Sequence, residues 1–592
     1  MAALRSPCKL LEASRQQIRL SLLGVAVVKI DGIENDKKNE RHDHGGVTRR
    51  DVLRVGAAAV TTSLFSLPGM TFARTGDSFK TVQTTHGKLR GRVNDGLASY
   101  LGVRYGANTG GENRFLPPQP VTPWHGVRDA LHLGSQSPQD NQDFATWVDP
   151  SSATEDCLML NVFSPSSAST SSRLPVMVWM HGGGYSFGSG YSHVYNCGSI
   201  AKTGNVVTVG INHRLNIFGY TYLGEQQDDR FSSSGNAGHL DLIAALKWVR
   251  DNIENFGGDP NNVTVFGQSG GGGKITTLLG MPGAQGLFHK AIIQSGSVLK
   301  VRESSEAAAL TDSVYATLGL RHNDIKALQA VPTQKLLKCF EKISTEAKSN
   351  FNPSIIFGPT VDGRVLPKMI WKGDIPEFAR KVPVLLGNTS QETAAFIGSD
   401  MFAPLKDDQA LAEKAAKFAT INNIDVNELL PVIKKYRQVM PKLSEPELLV
   451  RVSTDIGFWK NAVTQADMLV AAKGSPVYMY ECAWQTPCFD SKWALHGVEL
   501  PFVFNVPLYG TAWDGKDSDA LRASADPENH RLALGKQMFD AWTSFARSGN
   551  PSTTSLPWPT YDTESRATMM FSTQSKVEND PHQAMRGDIV SL

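Results

Sequence analysis

Short apolar runs alternate along this chain with longer stretches of helical periodicity. The run from Leu174 to Met180, LPVMVWM, has the length and composition of a central strand that is buried on both faces. From Asp241 to Asn255, by contrast, apolar residues recur at every third or fourth position, as on the inner face of a helix. Strands that alternate with helices predict an α/β fold with a large, mostly parallel central sheet and helices on both faces.

The same pattern predicts the remaining elements. Short alternating segments from Lys88 to Tyr105 indicate an antiparallel meander at the front of the sheet. Further strands are predicted at 206–211, 263–266, 291–294, 382–386 and 477–481, and a closing helix at 532–548. Two helix-rich segments, at about 303–348 and 408–465, interrupt the alternation. We expect these helical insertions to surround the active site, with Phe402, Phe458 and Trp459 as candidates for its wall or for ordinary core packing.

Composition narrows the class of protein. The chain has 592 residues, of which 41% are hydrophobic and 20% charged, and its net charge is +2. This is an ordinary composition for a soluble globular protein, and a nearly neutral chain gives no reason to expect a nucleic-acid partner. Because no linker of low complexity interrupts the region, residues 78–592 are predicted to form a single domain.

The N-terminal region differs from the rest. Residues 48–73 contain Arg49-Arg50, an apolar run from Val55 to Leu67 and a small-residue exit at Ala73, which is typical of a twin-arginine export signal. The run is too short for a stable membrane anchor. We therefore expect a periplasmic or secreted protein, with an N-terminal helix of the folded domain as the alternative. Residues 1–47 are expected to be a disordered upstream extension, and the true start codon to lie later than Met1.

The strand predicted at 263–266 runs directly into Gly267-Gln268-Ser269-Gly270-Gly271. This G-x-S-x-G pattern is typical of a nucleophile elbow, in which a serine lies at the tip of a sharp strand-to-helix turn. A glycine-rich turn with an incidental serine is one alternative. A phosphate-binding loop ending at Lys274 is another, but Gln268 stands where that loop needs glycine, and Ile275 stands where it needs serine or threonine.

A second glycine-rich segment, His181-Gly182-Gly183-Gly184, follows the strand predicted at Leu174 to Met180. Acyl transfer requires fixed N–H donors for the oxyanion, and a run of glycines allows the backbone to supply them. A flexible turn would also explain the glycines, but not the elbow further along the same chain.

A serine nucleophile requires a base, and the base requires an acid. In α/β-hydrolases both follow the serine in the order acid, then histidine. Glu392 follows the strand predicted at 382–386 and is the candidate acid. His496 follows the strand predicted at 477–481 and is the preferred base, whereas His530 and His582 are expected at the surface.

Cysteines are few and show no zinc-ligand spacing. One of the six, Cys8, lies in the leader. Cys482 and Cys488 are close enough in sequence to close a small loop. No metal and no organic cofactor is expected.

From about Gly87 to its end, the chain resembles the type-B carboxylesterase and cholinesterase family of α/β-hydrolases, including bacterial carboxylesterases. The matching segments are 155–158, 181–184, 235–236 with Asp241, 256–260, the elbow, 294–296, 361–363, 387–392 and 496–502. The resemblance implies a Ser269–His496–Glu392 triad. It also implies an oxyanion hole formed by the N–H groups of Gly183, Gly184 and Gly270, and a supporting position for Ser295 near the acid.

The chain departs from the family pattern at three places. Gln268 replaces the usual glutamate before the serine, and Gly270 replaces the usual alanine after it, which we expect to loosen the elbow. Ser137 stands where the family has the cysteine that pairs with the equivalent of Cys157. Cys157 is therefore predicted to be unpaired.

The sequence thus predicts a serine hydrolase that cleaves carboxylic esters through an acyl-enzyme, with a small-molecule ester and water as its partners. We expect a monomer or a weak homo-oligomer. Two alternatives remain open. One is a non-catalytic binding or adhesion module on the same fold, and the other is an amidase, thioesterase or carbamate hydrolase with the same machinery.

Overall fold

The fold is organised around one extended sheet. A computed structural model of the chain describes residues 78–139, 151–192, 194–224, 228–349, 357–418, 424–486, 493–507, 523–524 and 526–592. The strands are β1 Ser78–Gln83, β2 Lys88–Asn94, β3 Leu97–Arg104, β4 Val127–Asp129, β5 Met159–Pro165, β6 Leu174–Met180, β7 Val207–Ile211, β8 Gly258–Gln268, β9 Lys290–Gln294, β10 Arg302–Glu303, β11 Thr360–Val361, β12 Val384–Thr389, β13 Val477–Cys482, β14 Ala567–Phe571 and β15 Lys576–Asn579.

Within the described residues, thirteen of these strands form a single sheet in the order β1-β2-β3-β5-β7-β6-β8-β9-β12-β13-β14-β15, with β4 beside β2. The strands from β7 to β14 in this order are parallel. The front meander and the last strand are antiparallel. The predicted large, mostly parallel sheet is therefore confirmed. Strands β10 and β11 pair separately.

Helices cover the sheet and form the insertions. They are α1 Cys197–Gly204, α2 Asn216–Tyr220, α3 Ala237–Asn252, α4 Gly270–Leu278, α5 Ser304–Leu318, α6 Ile325–Ala330, α7 Thr333–Ser349, α8 Glu377–Arg380, α9 Ala394–Ile397, α10 Asp408–Ala416, α11 Val426–Val439, α12 Glu445–Thr454, α13 Lys460–Ala471, α14 Leu500–Val503, α15 His530–Ser548 and α16 Gln583–Ser591. A π-helical turn, Asp455–Trp459, joins α12 to α13.

The prediction and the structure differ mainly at the C-terminal end. The two strands β14 and β15 and helix α16 were not predicted, because their short segments carry little periodicity of their own. Helix α3 begins four residues before Asp241 and ends at Asn252, and Gly257 then reverses the chain with a φ of 91°.

The centre of the sheet is apolar and closely packed. The buried Trp179 of β6 contacts Phe266 of β8 and Phe504 after α14, with ring centroids 5.0 and 4.8 Å away. A buried ion pair, Arg214–Asp241, joins the segment after β7 to α3. The ends of β6 and β8 are thereby fixed in a rigid core, and both glycine-rich segments start from these ends.

The prediction that Cys157 is unpaired is confirmed: Cys157, Cys197, Cys339 and Cys482 are free and buried. Burial raises the pKa of the Cys157 thiol, and the Ser137 hydroxyl lies within hydrogen-bonding reach of it. Cys488 lies outside the described residues, so the proposed loop closure stays a prediction.

Residues 75–592 form one compact unit. The predicted extension 1–47 and export signal 48–73 lie outside the described residues. Within the part of the chain that is described, no helix is both long and apolar enough to span a membrane.

Candidate active site

Ser269 stands between the end of β8 and the start of α4. Its backbone has a φ of 58° and a ψ of −127°, a strained conformation for a residue with a side chain. Its N–H donates to the carbonyl of Gln294 on β9 over 2.8 Å. A Cβ added at Gly267 would lie 2.6 Å from the carbonyl carbon of Gly271, so the turn is too sharp for side chains on its flanks. Ser269 itself stays partly exposed.

The glycine loop, residues 181–184, leaves the end of β6 and packs against this turn. Gly183 and Gly184 both have positive φ, at 82° and 59°, which favours glycine. A Cβ added at Gly182 would lie 3.3 Å from Cβ of Ser269, and one added at Gly270 would overlap the backbone of Gly184. The glycine loop therefore fills the space that an alanine methyl group at position 270 would take, and the expected loosening of the elbow stays a prediction.

Glu392 lies three residues beyond β12 and is fully buried. Its Oε1 accepts a hydrogen bond from the N–H of Thr389 over 2.7 Å. Its Oε2 accepts a hydrogen bond from Nδ1 of His496. The structure therefore brings together two residues that are 104 positions apart in the chain.

His496 lies in the segment between β13 and α14, and only 2% of its surface is exposed. With Nδ1 donating to Glu392, Nε2 is an acceptor. The side-chain amide of Gln268, the residue directly before Ser269, has its Nε2 3.0 Å from Nε2 of the imidazole. The acceptor edge of His496 thus faces the elbow.

Ser295 lies directly after β9, with a positive φ of 48°. Its N–H donates over 2.7 Å to the carbonyl of Gly387, on the strand that leads to Glu392. Its hydroxyl is buried and has no hydrogen-bond partner among the described residues. The backbone of Ser295 therefore joins the end of β9 to β12, the strand that leads to Glu392.

Sequence analysis missed a second buried carboxyl group, Glu499. It lies three residues after His496 and is fully buried. Burial, and secondarily the charge of Glu392, raises its pKa to about 7. Gln294 donates to its Oε1 over 3.1 Å and accepts from the Trp542 indole over 3.1 Å. The sequence did contain a signal for this residue, because Glu499 stands alone among the apolar residues 498–502, and a buried acid with a raised pKa is a candidate for a functional group.

Two phenylalanine rings contact the imidazole. Phe396 and Phe458 stack on each other with centroids 6.2 Å apart, and their centroids lie 4.9 and 5.4 Å from that of His496. Phe396 is 48% exposed. Of the three aromatic residues suggested by the sequence, Phe458 therefore lies at the site. Trp459 is buried against His582, and Phe402 is 45% exposed.

The two rejected histidines occupy different environments. The side chain of His530 is 44% exposed, as expected. His582 is buried, so its predicted surface position is wrong. Its Nε2 contacts Glu481 over 2.5 Å and its Nδ1 contacts Arg451, because α16, which follows His582, packs onto the insertion helices.

The described residues contain no group of histidine, cysteine or acidic side chains arranged to hold a metal ion. What the site contains is a strained serine, an imidazole that meets the amide directly before that serine, an acid bonded to the imidazole, and a glycine loop packed against the serine. Such an arrangement is able to activate a hydroxyl group and to stabilise a developing oxyanion.

Comparisons with known proteins agree on the relatives of this chain. Residues 78–586 match the model of the carboxylesterase family. The chain is 34% identical to the para-nitrobenzyl esterase of Bacillus subtilis over 508 residues, covering 85% of this chain and 97% of that protein.

Solved structures give the same result. A carboxylesterase of Geobacillus stearothermophilus has a TM-score of 0.73 and 33% identity, covering 86% of this chain and 99% of its own. An esterase of Clostridium hathewayi, described as able to hydrolyse aliphatic aromatic polyesters, has a TM-score of 0.69 and 31% identity, covering 87% of this chain and 99% of its own.

Proposed function

This chain belongs to the carboxylesterase family and is a serine hydrolase of carboxylic esters, and we propose that Ser269, His496 and Glu392 carry out the reaction. The observation that carries the proposal is the continuous contact from Glu392 through His496 to Gln268, the neighbour of Ser269. This contact gives the imidazole one nitrogen bonded to an acid and one at the residue directly before the proposed nucleophile, and a general base needs both an orienting acid and a free acceptor nitrogen near the serine.

In the first half of the reaction, Oγ of Ser269 attacks the ester carbonyl carbon and its proton passes to Nε2 of His496. The Nε2 lone pair accepts from one donor at a time, so the amide of Gln268 gives way during this transfer. The carbonyl oxygen becomes an oxyanion and receives hydrogen bonds from the N–H groups of Gly183, Gly184 and Gly270. Glu392, held by the Thr389 N–H, stabilises the imidazolium that forms.

In the second half, the tetrahedral intermediate collapses and His496 gives its proton to the leaving alcohol. Water then enters, loses a proton to the same imidazole, and attacks the acyl group on Ser269. A second tetrahedral intermediate releases the acid product and restores the serine. Every proton in this cycle passes through Nε2 of His496, the nitrogen on the edge of the imidazole that faces the elbow.

The direct test replaces Ser269 with alanine and measures turnover of para-nitrophenyl acetate. We expect kcat to fall by about 10⁴-fold or more, with an unchanged far-UV spectrum, because the nucleophile is lost and the fold is not. A serine-directed organophosphate should add its mass to the wild-type chain and not to the variant. Normal turnover by the variant, or labelling at another serine, would contradict the assignment.

We further propose that the leaving-alcohol side of the pocket accepts aromatic or bulky apolar groups. The leaving oxygen must lie beside Nε2 of His496, and Phe396 and Phe458 contact that imidazole. A similar protein described as able to hydrolyse aliphatic aromatic polyesters is consistent with aromatic groups near the scissile ester. Phe458 belongs to the π-helical turn, a widened backbone geometry that is common at functional sites.

The test compares benzyl acetate with methyl acetate. Replacing Phe458 with alanine should lower kcat/KM for the benzyl ester roughly three- to tenfold and leave the methyl ester nearly unchanged, because one aromatic contact contributes about 0.5–1.5 kcal/mol. Phe402→Ala, which removes a 45% exposed ring, is the matched control. An equal loss for both esters would show that Phe458 supports the site without selecting the alcohol.

The export of the protein is a separate proposal. We infer from Arg49-Arg50 and the apolar run behind them that the twin-arginine route delivers the mature enzyme to the periplasm or the medium. Changing both arginines to lysine should block export, so that the esterase activity stays in the cytoplasmic fraction. Sequencing of the exported wild-type protein should give an N-terminus near residue 74. We expect the mature enzyme to elute from a sizing column as a monomer or a weak homo-oligomer.

A further inference from the structure

Lys274 is a fully buried lysine on α4, five residues after Ser269. Its Nζ donates a hydrogen bond to the backbone carbonyl of His181 over 2.8 Å. His181 is the first residue of the glycine loop, directly before the glycines proposed to receive the oxyanion. The amine therefore contacts the loop where it leaves β6.

The start of α4 is shaped to let the loop come this close. A Cβ at Gly270 or Gly271 would overlap the backbone of Gly184 or Met180, and one at Gly273 would lie 3.0 Å from the hydroxyl of Tyr185. The helix and the loop therefore pack backbone against backbone. Lys274 is the first residue of the helix whose side chain is able to reach over and hold the loop.

The glycine loop is held through its backbone, because the Gly183 carbonyl accepts from the N–H groups of Ser186 and Phe187 at the loop's exit. Gly182, Gly183 and Gly184 have no side chains to pack, and two of them have positive φ. Their N–H groups must nevertheless point at one position in space to stabilise an oxyanion. A loop without side chains has to be fixed through its backbone at its ends, and the Lys274 bond to His181 does this at the entry.

The buried environment of Lys274 disfavours its charged amine and therefore destabilises the folded protein. Burial lowers the pKa of its amine to about 7. No carboxylate lies within ion-pair distance of it among the described residues. The groups that face it are Tyr185, whose ring centroid is 5.9 Å away, and three buried histidines: His181, His213 and His239. Burial, together with Lys274, lowers the pKa of all three, which keeps these neighbours neutral.

A buried amine without an acid partner destabilises a fold, so a residue kept there has a use other than stability. We propose that Lys274 is a positioning residue that fixes the glycine loop through the His181 carbonyl and so aims the N–H groups of Gly183 and Gly184. This inference rests on the proposed serine mechanism and extends it to a residue that does not touch the substrate.

The experiment replaces Lys274 with methionine, which has a similar length and no amine. We expect kcat for para-nitrophenyl acetate to fall roughly 10- to 100-fold, because a poorly aimed oxyanion donor weakens the transition state. KM should change less than about threefold, since the loop matters little to the ground state. Affinity for a trifluoromethyl ketone, which forms a tetrahedral adduct with the serine, should fall with kcat.

Thermal stability separates positioning from simple structural support. Removing a costly buried amine should raise the Tm of Lys274→Met, and more at pH 6 than at pH 9. The sign follows from the amine's pKa of about 7 in the folded protein against 10.5 in the unfolded chain. The unfolded chain holds more protons between these values, so wild-type stability rises across that range and the amine costs most below pH 7. A structural role predicts the opposite, a lower Tm.

Two further variants complete the design. Lys274→Gln keeps a shorter N–H donor and should restore part of the lost kcat. Thr208→Val removes a buried hydroxyl that donates to the Cys197 carbonyl over 2.8 Å, far from the loop, and should leave kcat unchanged. If Lys274→Met does not fold, the Gln variant decides: a kcat several-fold below wild type with unchanged KM supports the proposal.

Wild-type kcat in either Lys274 variant overturns the proposal, as does a loss of kcat that comes with a lower Tm and an unchanged affinity for the ketone. Failure of the serine mechanism would look different. Organophosphate labelling of Ser269 should persist in the Lys274 variants, whereas it disappears in Ser269→Ala. The two proposals are thus tested by separate measurements on the same proteins.

Discussion

Two buried histidine–glutamate pairs lie within the described part of the chain, and they differ in what faces the second ring nitrogen. In one, Nδ1 of His496 is bonded to Glu392 and Nε2 faces the neutral amide of Gln268. In the other, Nε2 of His582 contacts Glu481 and Nδ1 contacts the guanidinium of Arg451. A neutral amide is able to move aside for a serine hydroxyl, whereas the Arg451 guanidinium occupies the second edge of His582. A buried imidazole with an acid is therefore able to act on a nucleophile only where its other edge is open to one.

A glutamate at each of these two sites, Glu481 and Glu499, also differs in pKa. Burial works to raise the pKa of Glu481, but His582 and Arg451 outweigh it and the pKa is lowered. Burial raises the pKa of Glu499, beside the catalytic pair, to about 7. The C-terminal cluster thus keeps Glu481 ionised between its charged partners, whereas Glu499 beside the catalytic pair lies near its point of protonation at neutral pH.

The largest expected effect comes from replacing each histidine with glutamine. His496→Gln should lower kcat by about 10⁴-fold or more, because the base is lost. His582→Gln should leave kcat per folded molecule unchanged and lower the free energy of unfolding by about 3 kcal/mol, because it breaks a buried pair. Steady-state kinetics and urea titrations measure both. A large loss of kcat in His582→Gln would erase the distinction between the two pairs.

A smaller effect concerns the dependence of stability on pH. The pKa of Glu499 is about 7 in the folded protein against 4.5 for a free side chain, so the folded state holds more protons between these values. Its contribution to the free energy of unfolding therefore falls as pH rises from 4.5 to 7, by up to about 3 kcal/mol. Glu499→Gln should remove this slope in urea titrations at several pH values.

Glu481 should show the opposite dependence of the free energy of unfolding on pH. Its pKa is lowered in the fold, so its contribution is present above the unfolded value and is lost as pH falls through the folded one. Glu481→Gln should therefore weaken the protein at neutral pH and matter less in acid. Equal pH slopes in the two variants would contradict the assigned environments.

The smallest effect is expected from Gln268→Glu. A carboxylate in place of the amide would face Nε2 of His496 and favour the imidazolium form. The acid limb of the kcat/KM profile should move to higher pH by roughly half to one unit, with a smaller change at the plateau. Gln268→Met, a neutral control, should not move the limb upward.

Much of the fold followed from sequence pattern. The run at 174–180 is the strand β6, and the predicted strands at 206–211, 263–266, 291–294 and 477–481 all fall in strands of the sheet within a few residues. Such runs are long, apolar and buried on both faces, so their own composition identifies them. The C-terminal strands β14 and β15 were missed because they are short edge elements, which depend on the pairing with β13 rather than on periodicity.

The sequence by itself determined the chemistry that a local motif can encode: a serine in a glycine elbow, a glycine loop after a strand, and an acid and a histidine in the right order. Only the tertiary structure decided which partners these residues meet. It buried His582 against Arg451, turned His496 toward Gln268, raised the pKa of Glu499 and brought Lys274 to the His181 carbonyl. The physical reason is that charge and protonation depend on distance and burial, and residues far apart in the chain meet their partners only when the sheet brings its strand ends together.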